Sequence, residues 1–418
     1  MDTHLADWIK DTPEGKAAET ILRKCVHCGF CTATCPTYQI LGDELDSPRG
    51  RIYLIKQMLE GKEVTRKTQQ HLDRCLTCRN CETTCPSGVQ YGKLIDIGKK
   101  IVDEQVPRPA AEKAMRAGLK GLMTNRALFD TGMVMGKMVR GLLPASVKAK
   151  IPAKRYTPAW PTSKHTRKVI LLNGCVQPAM MPSIDPATSV VLDALGVQGM
   201  IVNESGCCGA VKYHLNDHQG GLEQMKANVD AWWPLIESGE VQALVMNASG
   251  CGVTVREYGH YLADHPDYAA KATRISELTM DLGEFVAAQS TEALHQLAPK
   301  VKAAIQAEAI PGKIAFHPPC TLQHGQKVKG VVENVLRTLG FELTPVQDSH
   351  LCCGSAGTYS VLQPELSAEL KKRKLASLMA GNPQAIASAN IGCLGHLESG
   401  ASIEVRHWVE WVAEALGR

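Results

Sequence analysis

The chain has 418 residues, 44% hydrophobic and 21% charged with a net charge of +4, the balance of a globular protein with two or three domains. Its 16 cysteines do not indicate a secreted disulfide scaffold, because such scaffolds are usually short and this sequence begins without a basic or apolar leader. No apolar stretch approaches the roughly 20 residues that span a bilayer, so we expect an intracellular protein that does not cross a membrane and whose thiols bind metal.

The first predicted domain, residues 1–105, contains eight of the cysteines in two tight runs. Between the runs, Ser47 and Pro48 predict a helix start, with serine as the cap and proline in the first turn. Apolar residues at helical spacing over residues 51–60 continue that helix, and Gly61 ends it. We therefore expect helices around two cysteine loops.

The two runs share one pattern, CxxCxxCxxxCP, which begins at Cys25 and again at Cys75. In ferredoxins of this pattern, three cysteines at three-residue intervals bind one [4Fe–4S] cube, and the cysteine before proline reaches the neighbouring cube. The sequence therefore predicts two [4Fe–4S] clusters with crossed ligation and an electron-transfer role. The first cysteine set is Cys25, Cys28, Cys31 and Cys85. The second cysteine set is Cys35, Cys75, Cys78 and Cys81.

Zinc is the alternative metal for these cysteines, because CxxC pairs also form tetrahedral zinc sites. A zinc site closes with two such pairs, whereas each run here has a third cysteine at the same spacing and then a CysPro. The pattern favours iron and sulfide over a zinc scaffold, and a visible absorption spectrum separates the two.

Residues 106–166 form a predicted basic helical connector without cysteine. Within residues 108–168 there are fourteen lysines and arginines against the two acids Glu112 and Asp130, a net charge of +12. Methionines and leucines recur at helical spacing over residues 128–143. Further basic residues follow among prolines, at Lys148, Lys150, Lys154 and Arg155. The connector could lie on an anionic membrane surface, bind an acidic partner or be a solvated linker, but nucleic-acid binding is not expected because no recognition motif accompanies it.

Residues 167–290 and 310–418 are predicted to be two copies of one α/β repeat. The segment that ends at Cys175 resembles the one that ends at Cys320, and a CysCysGly and a GlyCys motif recur in register after both. Short apolar runs with helical stretches between them predict buried parallel strands at 169–172, 200–202, 243–246, 313–316 and 385–389. The predicted fold class is α+β overall, with an α-helical N-terminal module and duplicated C-terminal α/β domains.

Each repeat has four cysteines, placed after strand ends where open α/β sheets bind their ligands. The third cysteine set is Cys175, Cys207, Cys208 and Cys251. The fourth cysteine set is Cys320, Cys352, Cys353 and Cys393. Four thiolates are enough for a further iron–sulfur centre, and buried cysteines without metal are the alternative. The sequence does not decide between a further centre and buried, metal-free cysteines.

Several charged or titratable residues near these cysteines have two interpretations. Four histidines could relay protons or complete a metal site, or be ordinary surface residues: His214, His317, His324 and His396. Arg49 and Arg51 could tune a cluster, or could pair with acids such as Glu44.

The twin ferredoxin-type motif followed by two cysteine-rich repeats resembles the iron–sulfur subunits of glycolate oxidase (glycolate dehydrogenase). The resemblance covers nearly the whole chain and is strongest over residues 47–51, 73–78 and 388–397. It implies a complex in which an FAD-containing subunit oxidises glycolate to glyoxylate and this chain passes the electrons to a respiratory acceptor such as quinone. It also implies a peripheral position on the cytoplasmic side of a bacterial inner membrane, and an isolated chain that is not catalytic.

Related electron-transfer subunits serve glycerol-3-phosphate or lactate dehydrogenases, and these remain alternatives. A heterodisulfide reductase-like catalytic subunit is a further alternative, but in that branch each repeat ends in CxxC. Here Ala248 and Asn390 stand where the first cysteine of that pair would be. The chain has no GxGxxG, GxxxxGK[ST] or GxSxG motif, so the hydride acceptor is expected on the partner.

Overall fold

The structure is a computed structural model that describes residues 1–142, 152 and 155–417. The chain divides into two compact units. One contains Met1–Gly118 together with His350–Leu370, and the other contains Leu119–Ser349 together with Lys371–Arg418. This division does not test the four domains expected from the sequence, which remain a prediction.

Short helices build the first unit. They are Pro13–Lys24, Phe30–Ala33, Pro36–Leu41, Pro48–Leu59, Arg66–Asp73, Asn80–Thr84, Tyr91–Gln105 and Tyr359–Leu362, with a 3₁₀ turn at Glu44–Asp46. The helix predicted after Ser47 is confirmed, since the Ser47 hydroxyl accepts a 2.9 Å hydrogen bond from the amide of Gly50. Its inner face buries Ile55 and Leu59 in the core of this unit.

Two four-stranded parallel sheets form the centre of the second unit, in the orders β2-β1-β3-β4 and β6-β5-β7-β8. The first sheet contains β1 Arg167–Leu171, β2 Val197–Ile201, β3 Ala243–Met246 and β4 Thr279–Asp281. The second contains β5 Lys313–His317, β6 Glu342–Leu343, β7 Ala385–Ser388 and β8 Glu404–His407. The identical order in both sheets confirms the predicted duplication of an α/β repeat, and the predicted fold class with it.

Helices surround these sheets in the second unit. They are Arg126–Met138, Gln177–Met180, Ile184–Ala194, Ala210–His214, His218–Glu237, Ser249–Arg256, Tyr258–Tyr261, Pro266–Leu278, Leu282–Ala287, Thr291–Gln306, Val331–Leu339, Ile391–Glu398 and Trp408–Ala415. The remaining α-helices are Ala110–Thr124 and Pro364–Met379, within which the boundaries of this division fall. Short turns of other helical types occur at Arg140–Leu142 and Thr321–Gly325. The apolar core includes the fully buried indoles of Trp232 and Trp408.

Several basic residues of the predicted connector form ion pairs within their own unit. Arg108 binds Asp73 through two hydrogen bonds of 2.6 and 2.9 Å, and Arg155 pairs with Glu398 at 2.7 Å. The predicted basic residues Lys148, Lys150 and Lys154 lie outside the described residues. Among the described residues, no helix combines the length and hydropathy needed to cross a bilayer.

Candidate metal centres

The four residues of the first cysteine set lie together in the first unit. Burial, together with smaller contributions from the neighbouring thiols of the same set, Cys25, Cys28 and Cys85, raises the pKa of the Cys31 thiol to about 11. These four cysteines also line one cavity, which extends to Cys81 of the second set. The two sets are therefore neighbours, as sequential electron transfer requires.

The second cysteine set is also brought together. Burial raises the pKa of the Cys81 thiol well above its ordinary value, with further contributions from Cys78, Cys75 and Cys35. In each loop the residues just before and just after the second cysteine have left-handed backbone. The φ values are 56° at His27 and 86° at Gly29 in one loop, and 52° at Thr77 and 61° at Arg79 in the other. This shared bend curls each loop back on itself, so that cysteines three residues apart can approach one another.

The chemistry of the two sets fits iron–sulfur clusters. All sixteen cysteines are free thiols, and each set gathers four of them in one place. Burial and mutual repulsion disfavour four thiolates there, and bound metal ions would reverse this by stabilising the negative sulfurs. Soft thiolate donors in groups of four are the ligands that iron–sulfur clusters use.

Polar groups surround the second set at short range. The Tyr91 hydroxyl lies 3.5 Å from the Cys75 sulfur, and the amide of Thr77 donates to the same sulfur at 3.4 Å. The Thr37 hydroxyl lies 3.3 Å from the Cys35 sulfur. Hydrogen bonds to ligand sulfurs are a principal means by which proteins adjust cluster potentials. Sequence reasoning missed Tyr91 and Thr37, because no local pattern marks them.

The two arginines of the Ser47-Pro-Arg-Gly-Arg51 segment have different partners. Arg49 pairs with Glu44 at 2.7 Å, the acid named as its alternative partner. Arg51 is buried and pairs with Asp46 at 3.2 Å instead.

The third cysteine set converges in the second unit. Hydrogen bonds from the thiols of Cys175 and Cys208 lower the pKa of Cys207 well below its ordinary value. Cys208 is also hydrogen-bonded to Cys251, and its own pKa is raised by these two contacts and by burial. The four thiols therefore form one connected group, with the thiolate character concentrated on Cys207.

Two residues far along the chain hold the CysCysGly loop of the first repeat. The Asn228 amide donates to the carbonyl of Cys207 at 2.9 Å, and its oxygen accepts from the amide of Gly206 at 2.8 Å. The hydroxyl of Tyr258 donates to the carbonyl of Cys208 at 3.0 Å. These contacts fix the loop backbone from outside, and neither residue could be identified from the sequence.

The fourth cysteine set is divided between the units. Cys352 and Cys353 belong to the first unit, while Cys320 and Cys393 belong to the second, and all four are buried. Within the first unit, the Tyr359 hydroxyl donates to the carbonyl of Arg74 at 3.0 Å, beside the second cysteine loop. No local pattern predicts this long-range contact.

Of the four histidines singled out in the sequence, His317 is the most distinctive. It is buried, and its Nδ1 lies 3.0 Å from the Ser388 hydroxyl. Burial lowers its pKa well below the ordinary value, so its imidazole is neutral at neutral pH. No described residue hydrogen-bonds its Nε2. His214, His324 and His396 each have interaction partners in the structure.

Family models match most of the regions just described. A 4Fe-4S dicluster domain model matches residues 21–89. A cysteine-rich domain model matches twice, over residues 169–256 and 314–398. Together these matches cover more than half of the chain.

Sequence similarity to other proteins extends over the same regions. The glycolate oxidase iron-sulfur subunit of Escherichia coli is 52% identical, over 100% of this chain and 99% of the relative. The probable glycolate oxidase iron-sulfur subunit of Bacillus subtilis is 29% identical, over 95% of this chain and 94% of the relative. Lactate utilization protein A of an Exiguobacterium species is 23% identical, over 59% of this chain and 98% of the relative.

Proposed function

The chain belongs to the family of glycolate oxidase iron–sulfur subunits, and from that premise we propose that it carries electrons from the oxidation of glycolate to glyoxylate toward a respiratory acceptor. It is the iron–sulfur subunit of an oxidoreductase complex. The observation that carries the proposal is the pair of adjacent four-thiol groups in the first unit. Clusters of this type accept and release single electrons when bound.

The proposed ligands are the first cysteine set for one cluster and the second cysteine set for the other. The cavity that joins Cys85 to Cys81 supports their proximity. The left-handed residues of each loop orient the cysteines, and Tyr91 and Thr37 are placed to hydrogen-bond the sulfurs of the second set.

We further propose that the hydride acceptor is FAD on a partner subunit and that the final acceptor is quinone. The complex would then lie on the cytoplasmic face of the inner membrane, attached peripherally. Basic residues of the connector, Lys148, Lys150 and Lys154 among them, are candidates for that contact. If so, neutralising these three lysines should release the complex from membranes at low salt, and unchanged fractionation would argue against it.

The third cysteine set is proposed to hold an additional metal centre. Its four connected thiols and the low pKa of Cys207 support this assignment, since a thiolate is the form that binds metal. The family to which the chain belongs has cysteine-rich repeats that fit such a centre.

The decisive experiment measures iron and acid-labile sulfide per chain in anaerobically purified protein, together with EPR of the reduced sample. Two clusters give about eight irons, and a third gives about twelve. A colourless, iron-free chain that still supports oxidation of glycolate by its partner would refute the proposal. Assaying the complex with glycolate, lactate and glycerol 3-phosphate identifies the electron donor, and the isolated chain should turn over none of them.

A further inference from the structure

The helix Pro48–Leu59 directs two arginines toward the two proposed cluster sites. Residues two positions apart on a helix differ by about 200° in direction, so Arg49 and Arg51 project from opposite faces. Arg49 approaches Gly29 of the first cysteine loop, and its positive charge interacts with Cys31. The charge of Arg51 interacts with Cys75 and Cys35, both of the second set.

The two arginines differ in how far water screens their charge. The Arg49 side chain is 36% exposed and is paired with a carboxylate that is itself 44% exposed. The Arg51 side chain is 1% exposed. Because charges act more strongly where water is excluded, Arg51 has much the larger electrostatic effect on its neighbours.

The guanidinium of Arg51 is held in place at every nitrogen. Its Nε donates to the carbonyl of His71 at 2.7 Å, and its Nη2 donates to Asp46 at 3.2 Å. Its Nη1 donates to the Thr37 hydroxyl at 3.2 Å and lies 4.0 Å from the sulfur of Cys35. The positive charge is therefore fixed beside a proposed cluster ligand.

The carboxylate beside Arg51 does not cancel this charge. Asp46 also accepts a 2.8 Å hydrogen bond from Arg74, so two guanidinium groups share one carboxylate. The ring of His71 faces the same carboxylate at 3.2 Å. The buried group therefore has a net positive charge next to the second cysteine set.

We propose that Arg51 tunes the second cluster site, raising the reduction potential of the cluster at Cys35, Cys75, Cys78 and Cys81. The inference rests on the proposed function. Reduction adds one electron, supplied by the reduced flavin of the partner, and one negative charge to the thiolate site, with no bond made or broken and no proton required. A buried cation stabilises that added charge.

The test is an EPR-monitored redox titration of the complete, cluster-loaded chain. Arg51→Gln removes the charge, and we expect the reduction equilibrium constant of one cluster to fall at least tenfold, which is about 59 mV for one electron. The matched control Arg49→Gln removes the exposed charge of the same helix and should change either constant by about threefold or less. A separate variant, Cys78→Ser, replaces a proposed ligand of the second site. The EPR signal that it changes belongs to that site, and the same signal should shift in Arg51→Gln.

Two further variants test the inference if the Arg51→Gln chain does not assemble its clusters. Arg51→Lys keeps the charge and should keep the potential close to that of the wild type. Asp46→Asn removes the negative charge beside Arg51 and should raise the potential of the same cluster. A potential that does not fall in Arg51→Gln more than in Arg49→Gln, or that does not rise in Asp46→Asn, overturns the inference. Loss of all iron from the wild-type chain would instead refute the proposed function.

Discussion

The backbone amide of Gly250 donates a 3.0 Å hydrogen bond to the side-chain oxygen of Asn390, which joins equivalent strand ends of the two repeats. A backbone bond from Ser249 to the carbonyl of Ala389, 3.1 Å long, lies beside it. The same Asn390 amide group donates to the sulfur of Cys393 at 3.5 Å. The residue at the position of the absent CxxC cysteine therefore links the two repeats in the second unit.

Replacing Asn390 with alanine should weaken the second unit. The substitution leaves the Gly250 amide without its acceptor in a partly buried position, so we expect the free energy of unfolding to fall by about 1–3 kcal/mol. Anaerobic urea unfolding measures the change. Asn203→Ala, at an exposed asparagine, is the control and should change stability by less than about 0.5 kcal/mol. Equal effects of both substitutions would contradict the linking role.

Replacing Tyr91 with phenylalanine should lower the potential of the cluster at the second cysteine set. The change removes only the hydroxyl that lies 3.5 Å from the sulfur of Cys75, and a neutral hydrogen bond contributes about 1 kcal/mol. The reduction equilibrium constant should therefore fall roughly fivefold, which a redox titration detects. Tyr53→Phe removes a hydroxyl from a tyrosine that is 45% exposed and should leave both potentials unchanged. A shift of equal size in the two variants would exclude a specific contact.

Local signals in the sequence were sufficient to predict much of the fold. The Ser47 cap and the Pro48 helix start depend only on neighbouring residues, and the structure has both. The apolar runs that predicted strands at 169–172 and 243–246 coincide with β1 and β3 to within about two residues. The repeated cysteine spacing also predicted the duplication.

Contacts between residues distant in the chain could not be predicted in this way. The sequence left Arg51 with two interpretations, tuning a cluster or pairing with an acid such as Glu44. In the structure it reaches Cys35 and Asp46, because the chain turns back through Glu44–Asp46. Asn228 and Tyr258, which support the loop at Cys207, follow that cysteine by more than 20 residues. Such contacts depend on tertiary packing, which leaves no periodic pattern in the sequence.

Replacing Cys207 with serine should remove one metal centre and leave two. Cys207 accepts hydrogen bonds from two thiols of the third set and has the most thiolate character there, so its loss should abolish metal binding at that set. Iron per chain should fall by about four, from about twelve to about eight. The EPR signals of the first and second sets are the internal control and should persist. A wild-type chain that already contains only about eight irons would show that the third set binds no cluster.

Stability should depend on pH through His407, which is fully buried between the two repeats of the second unit. Its Nε2 donates to the carbonyl of Asn247 at 2.9 Å, and its Nδ1 accepts from the amide of Val409 at 3.2 Å. Because Nδ1 can accept a hydrogen bond only while it is unprotonated, this pair of contacts requires the neutral imidazole. Burial lowers the pKa of His407 to about 3, whereas an unfolded histidine titrates near 6.5.

Since the folded pKa of His407 is depressed, its contribution to stability is fully present above about pH 6.5 and is lost as the pH falls toward 3. Between about pH 6.5 and 5, the unfolded chain takes up a proton that the folded chain does not, so the free energy of unfolding should fall by about 2 kcal/mol from this residue alone. His407→Gln removes the titrating group but keeps a donor and an acceptor, and its stability should decline less steeply over the same range. His4→Gln, at an exposed histidine, should keep the wild-type slope. Urea unfolding followed by tryptophan fluorescence compares the three chains. Identical slopes in all of them would show that His407 takes up its proton equally in the folded and the unfolded chain.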